Sequence, residues 1–258
     1  MNLKYIQMKK IAFLLVLACM SSCKDKVKTT AISAPATKMQ VLTVNYELSE
    51  MSLDAHAQLG LDVVGNFEPG KIKGLLGKTF IGNLENGVFG GVYYFTDNES
   101  LAAYSTSELW EGIVAHPNLV NFKKESYAVA GISAMSNGLA GERKTATEVG
   151  IESAKEVLIV NYELSEMSLE AHAQLGRDVV GNFAPGKVKG LIGKTFIGNP
   201  EKGVFGGVYY FTNAAQADRY LASDLWKGIE AHPNLVNFKT ARFGIAPISI
   251  IADGVPSL

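Results

Sequence analysis

From Val41 to Leu48 apolar and polar side chains alternate. Leu42, Val44, Tyr46 and Leu48 share one parity, and Val41, Thr43, Asn45 and Glu47 share the other. That period of two predicts a strand with one apolar face. The period then changes. Leu53, Ala57, Gly60, Val64 and Phe67 recur at helical spacing, Ser52 is placed to cap the helix, and Pro69-Gly70 ends it. A strand from about Gly74 to Ile81, turn residues Gly82–Gly87 and a strand Val88–Phe95 predict a hairpin. A helical stretch from Asn98 to Ala115 follows, broken near Ser105-Thr106-Ser107. His116-Pro117-Asn118 closes it, and a last strand runs from Leu119 to about Ala130.

The same pattern is then written again. Residues 41–123 and 157–239 align without a gap at an offset of 116, and 63 of the 83 pairs are identical. Each copy is a domain-sized unit rather than a solenoid repeat of 20–50 residues. Each reads strand-helix-strand-strand-helix-strand, the ferredoxin-like βαββαβ order, with both helices on one face of an antiparallel sheet. The other sheet face needs cover. Strand Val88–Phe95 is apolar at both parities, the mark of a strand buried on both sides. The second copy is the natural cover, so the fold class expected is α+β. Two repeats pack sheet to sheet within one chain, helices outside, and no second chain is required. The boundaries expected are repeat 1 at 41–133, a linker at 134–156 with a short helix near 145–155, and repeat 2 at 157–258.

The first residues carry an address. Lys9-Lys10, an apolar run from Ile11 to Met20 and then Ser21-Ser22-Cys23 describe a secretory signal, too short to span a membrane. The small-small-Cys ending before Lys24-Asp25-Lys26 resembles a bacterial lipobox. It makes 1–22 the signal peptide and Cys23 the lipidated residue, with Cys19 as the alternative. The mature chain would be lipid-anchored to a bacterial membrane in the cell envelope, with 23–40 as a flexible tether. Both cysteines lie in this segment, so the folded part has no disulfide and no thiolate nucleophile. Without residues 1–22 the chain holds 21 basic against 25 acidic residues, and no basic run survives past the tether. That balance argues against nucleic-acid binding.

If Leu42, Val44, Tyr46 and Leu48 face the helices, the opposite parity lines the space between the sheets. That set brings Asn45 from the first strand, Lys78 and Phe80 from the second, and Tyr93 and Phe95 from the third. Asn161, Lys194, Phe196, Tyr209 and Phe211 are their repeat 2 equivalents. A one-residue slip in the second strand would turn Lys78 and Phe80 to the helices instead. Aromatic walls with few polar groups make a pocket for a small, flat, apolar or aromatic ligand, and two similar half-sites are expected. His116 and His232 end helices before proline, where the helix dipole suits them. His56 and His172 have no second ligand at helical spacing, so both read as structural and no metal site is expected. Trp110 and Trp226 read as packing anchors. Gly90-Gly91 belongs to no nucleotide-binding pattern and reads as a place of close backbone approach.

One group of features belongs together. A polar residue stands inside the first strand (Asn45, Asn161), and Gly-Lys-Thr-Phe forms the second (77–80, 193–196). Gly-Gly-Val-Tyr-Tyr-Phe forms the third (90–95, 206–211), and His-Pro-Asn-Leu precedes the last. In these the chain resembles the small YdhR-type mono-oxygenase family of the dimeric α+β barrel superfamily, nearly end to end in each repeat. It differs in fusing two copies where the family pairs two chains. The resemblance implies a barrel fold and cofactor-independent oxygenation of quinol- or anthrone-like aromatics, with no cofactor. Lys78, Lys194, His116 and His232 are then the candidate catalytic groups. The same fold also serves a non-catalytic lipoprotein that binds a ligand or a partner.

Overall fold

This computed structural model describes residues 39–137 and 154–253. The expected signal, Cys19 and Cys23, the expected tether up to residue 38 and most of the linker with its expected helix lie outside the described residues. The last two residues given to the tether belong to the fold instead, Met39 in the barrel core and Gln40 in the first strand. Repeat 1 consists of β1 (Gln40–Leu48), α1 (Leu53–Val64), β2 (Leu75–Asn83), β3 (Val88–Phe95), α2 (Asn98–Ser105), α3 (Glu108–Val114) and β4 (Leu119–Val129). Repeat 2 follows the same order with β5 (Glu156–Leu164), α4 (Leu169–Val179), β6 (Leu191–Asn199), β7 (Val204–Phe211), α5 (Ala214–Leu221), α6 (Asp224–Glu230) and β8 (Leu235–Ile245). Local chemistry explains the boundaries. The Ser52 hydroxyl accepts from the Ala55 amide at 3.1 Å. Ser107 caps α3 by accepting from the Trp110 amide at 3.2 Å, which is why the second helical stretch is two helices.

The eight strands close into one antiparallel barrel in the order β1-β3-β2-β8-β5-β7-β6-β4. Within each repeat the pairing is long. Between repeats it is short: Ile81 and Gly82 meet Ile245 and Gly244, and Ala128 and Val129 meet Gly198 and Ile197. Closure leaves no free sheet edge. The barrel interior is a packed core that includes Val41, Val92, Tyr94, Val157, Val208 and Tyr210. The equivalent hydroxyls of Tyr94 and Tyr210 meet at its centre, 3.1 Å apart, and Thr79 Oγ1 lies 3.2 Å from Tyr210. Two further cores, one per repeat, lie between the sheet and its helices.

Each short seam is extended by an arm. After β8, Ala246–Ala252 crosses to repeat 1. The Ala246 amide donates to Phe80 O at 2.9 Å, the Phe80 amide donates to Ser249 Oγ at 2.9 Å, and the Lys78 amide donates to Ala252 O at 3.1 Å. After β4, Ala130–Ser136 makes the reciprocal crossing. The Ala130 amide donates to Phe196 O and the Phe196 amide to Ser133 Oγ, both at 2.9 Å. The two repeats therefore exchange their C-terminal segments.

The register corrects one expectation. Leu42 pairs with Tyr93, and Tyr93 pairs with Lys78. Paired residues share a sheet face, and Leu42 faces the helices. So Lys78, Phe80, Tyr93 and Phe95, with Lys194, Phe196, Tyr209 and Phe211, point to the helices and not into the space between the sheets. The inward aromatics of β3 and β7 are Tyr94 and Tyr210.

Candidate functional site

The sheet of repeat 1 and its helices do not close completely on each other. They leave a cavity of about 570 Å³ walled by β1, β2 and β3 on one side and by α1 and α3 on the other. Ile245 at the end of β8 and Ala246 and Ile248 from the arm of repeat 2 complete the wall. Leu53 and Leu84 line it while remaining 54% and 71% exposed, which puts them at the mouth. The lining is largely apolar, the general form of a small-molecule site.

Lys78 is the unusual group in this wall. Its residue is only 5% exposed. Nζ lies 3.5 Å from the Phe67 ring centroid, 3.9 Å from that of Phe80 and 4.8 Å from that of Tyr93. Among the described residues no carboxylate comes within ion-pairing reach of it. Burial disfavours the ammonium and holds the amine well below the usual lysine range. The three ring faces attract a cation and work against that shift, but they supply no counter-charge. Lys194 repeats the arrangement, 3.5 Å from Phe183, 3.8 Å from Phe196 and 4.7 Å from Tyr209. Burial lowers its affinity for a proton in the same way.

The Gly-Gly pair of the third strand makes room for these lysines. A Cβ on Gly91 would stand 2.9 Å from Tyr93 Cε2 and 3.2 Å from Lys78 Cε. The lysine stem therefore lies across the bare backbone of β3. Gly207 does the same for Lys194, with 3.1 Å to its Cε.

A tyrosine–histidine pair shares the cavity. Tyr46 Oη and His56 Nε2 are 2.9 Å apart, and the His56 ring packs tilted against Phe89, 4.5 Å between centroids. Burial pushes the Tyr46 hydroxyl up to about 12 and draws the His56 imidazole below its usual range, so both are neutral at pH 7. Tyr162 and His172 form the same pair at 2.8 Å. The sequence pattern had assigned His56 and His172 structural roles. The pairing was missed because the tyrosine lies ten residues upstream on a strand, not one turn away on the helix. His116 also lines the cavity, and its Nδ1 accepts from the Asn118 amide at 3.3 Å.

Of the expected residues, then, Lys78, Phe80, Tyr93 and His116 come together around one cavity. Phe95 packs behind it against Tyr104, 5.5 Å between centroids. Asn45 lies on the other side of the sheet, as its parity required. It borders a second space of about 400 Å³ with Lys123 and Arg242, and its Oδ1 is buried without a hydrogen-bond partner, as is that of Asn161. Arg242 is already paired with Glu156 at 3.0 Å and with Asp218. Glu47 accepts from Asn121 at the exposed rim. The second space is thus polar and internally paired, a weaker candidate than the first. Among the described residues no three His, Cys, Asp or Glu side chains gather as a metal ion would need.

Comparison with known proteins agrees with this architecture. No curated protein matches the chain significantly. Among solved structures, a chlorite dismutase homologue superimposes with a TM-score of 0.60 at 11% identity, over 84% of this chain and 98% of that one. A mono-oxygenase homologue from Fusobacterium nucleatum gives 0.59 at 9% identity, over 82% and 93%. An anthrone oxidase-like protein gives 0.52 at 11% identity, over 83% and 94%. At these identities the likeness is one of fold. The family model described as "Putative mono-oxygenase ydhR" matches twice, at residues 39–138 and 157–254, one match for each set of strands, helices and caged lysine described above. The chain belongs to that family, and carries two members of it in tandem.

Proposed function

We propose that each half-site takes up a flat, largely apolar molecule with an acidic O–H or C–H group, a quinol or anthrone type, and oxygenates it without a cofactor. One observation carries this reading: the buried Lys78 amine, with no anionic partner among the described residues, faces an apolar cavity in the sheet–helix core of repeat 1, and Lys194 repeats its aromatic cage in repeat 2. The neutral Lys78 amine accepts the substrate proton, and the resulting ammonium becomes the counter-ion of the enolate or phenolate. The carbanion gives its electrons to dioxygen. One oxygen atom stays on carbon as a carbonyl and the other leaves as water, so a CH₂ group and O₂ become C=O and H₂O. The Tyr46–His56 pair supplies and removes protons at the cavity wall. Family membership supports this reading, as does the structural likeness to a protein named for anthrone oxidation.

Oxygen uptake with a panel of quinols and anthrones tests it. Wild type is expected to turn over at least one compound. The Lys78→Ala/Lys194→Ala variant should lose about 10²–10⁴ in kcat, the usual span for a general base. Activity should rise with pH, because the working form of the lysine is unprotonated. Saturable binding with no turnover of any compound would return the protein to a ligand-binding role.

We also propose that Cys23, or else Cys19, carries a lipid that tethers the barrel to a bacterial membrane. Its support is the lipobox-like sequence and the polar stretch behind it. Changing both cysteines to serine should move the protein from the membrane fraction to the soluble one. Unchanged fractionation overturns the anchor.

A further inference from the structure

We propose that Lys78 and its repeat 2 equivalent Lys194 are carbonyl-capturing lysines, each able to bind an apolar aldehyde as an imine on its caged Nζ. This goes beyond oxygenation: it shares the lysines but needs neither oxygen nor an acidic substrate.

Four observations converge on it. Each Nζ is boxed by three aromatic rings and has no carboxylate partner among the described residues, which leaves its lone pair free of an ion pair there. Each stem is seated over a glycine that removes the Cβ it would strike, which aims the amine instead of leaving it to swing. Lys78 borders a cavity of about 570 Å³, roomy enough for a bicyclic aromatic aldehyde. Proton-handling groups stand in that same wall: the Tyr46–His56 pair, His116, Tyr93 and, at the exposed rim, Glu108. Burial disfavours the ammonium, which favours the nucleophilic free amine over what a solvated lysine offers.

The chemistry balances without any co-reactant. The nitrogen lone pair forms a bond to the carbonyl carbon, and a proton passes from nitrogen to oxygen to give the carbinolamine. The hydroxyl then leaves as water, with a proton delivered from the histidine side of the cavity and another lost from nitrogen. Amine and aldehyde become imine and water. The apolar walls keep bulk water, and so hydrolysis, away from the C=N bond.

The test is reductive trapping on the full chain at pH 7 with 2-naphthaldehyde and cyanoborohydride, followed by intact mass and peptide mapping. Two adducts per chain are expected, on Lys78 and Lys194. They should form about 100-fold faster than on surface lysines, of which only about 1 in 2,500 is unprotonated at pH 7. Excess 2-naphthalenemethanol, which fills the cavity but has no carbonyl, should slow those two adducts and no others. Mapping the wild type avoids dependence on a variant that fails to fold. The Lys78→Met/Lys194→Met protein, checked by circular dichroism, should lose the fast phase. Labelling spread over surface lysines at equal rates overturns the proposal. Absence of adducts while 2-naphthalenemethanol still binds also overturns it and leaves the oxygenation reading standing. Loss of both adducts and 2-naphthalenemethanol binding defeats the two together.

Discussion

Replacing Lys78 and Lys194 together with methionine makes the protein more stable at pH 7. Each lysine places an amine in an apolar cage with no counter-ion among the described residues. Leaving a polar group buried without a partner costs about 1–3 kcal/mol by mutational measures. Methionine keeps the length of the stem and removes that cost. For a domain of this size each kcal/mol moves Tm by about 2–4 °C, so the double variant should gain roughly 5–20 °C. The pH dependence is diagnostic. Both lysines have folded-state proton affinities lowered by burial. Below the unfolded lysine value the unfolded chain therefore binds more protons than the folded one. Stability rises with pH from the lowered folded values up to about 10.4, and is lost as pH falls through that window. The slope reaches about 1.4 kcal/mol per pH unit for each lysine. Chemical denaturation between pH 6 and 10 should show this rise in wild type and a flat profile in the double variant. A variant no more stable than wild type would mean the amines are not buried as described.

Gly90→Ala, with or without Gly206→Ala, should have the opposite and larger effect. A Cβ on Gly90 would stand 1.8 Å from Val44 O, 2.8 Å from Val44 C and 3.0 Å from Asn45 Cα. All three atoms are backbone, so no side chain can rotate away. The strands β1 and β3 would have to separate at the middle of their pairing, where Gly90 faces Asn45. Gly206 stands 1.8 Å from Val160 O in the same way. A loss of more than about 3 kcal/mol is expected for one substitution, in the range of the most disruptive core changes. The double variant should not fold. Gly112→Ala is the control: nothing lies within 4 Å of its added Cβ, and α3 should gain up to about 1 kcal/mol from the better helix former. Thermal melts of the three proteins measure the contrast.

Much of the fold was legible in the chain. The twofold repetition and the doubly apolar third strand together required a sheet buried on both faces, which is the closed barrel. Ser52 and the Ser105–Ser107 break marked helix ends that the structure shows. What parity did not say was which apolar face of β3 is which. Tyr93 and Tyr94 look alike to a period of two, and only the pairing of Leu42 with Tyr93 assigns them. Lys78 followed Tyr93 across the register to the helix side. The arms Ala130–Ser136 and Ala246–Ala252 carry no period that announces a destination. Their partners lie in the other repeat, joined to them by single serine hydroxyls and edge amides.

Those exchanged arms bear on how such a chain can change over generations. Ile248 belongs to the second copy by descent but to the first cavity by position. A lesion in the tail of the second copy therefore appears as a defect in the cavity wall of the first. Losing the second copy outright would strip two strand edges and one cavity wall at once, so the duplication is hard to reverse once the arms have crossed. The two lysine cages can still drift apart. Their lysines, tyrosines and histidines are separate codons within one gene, so one repeat can change its cluster while the other keeps it.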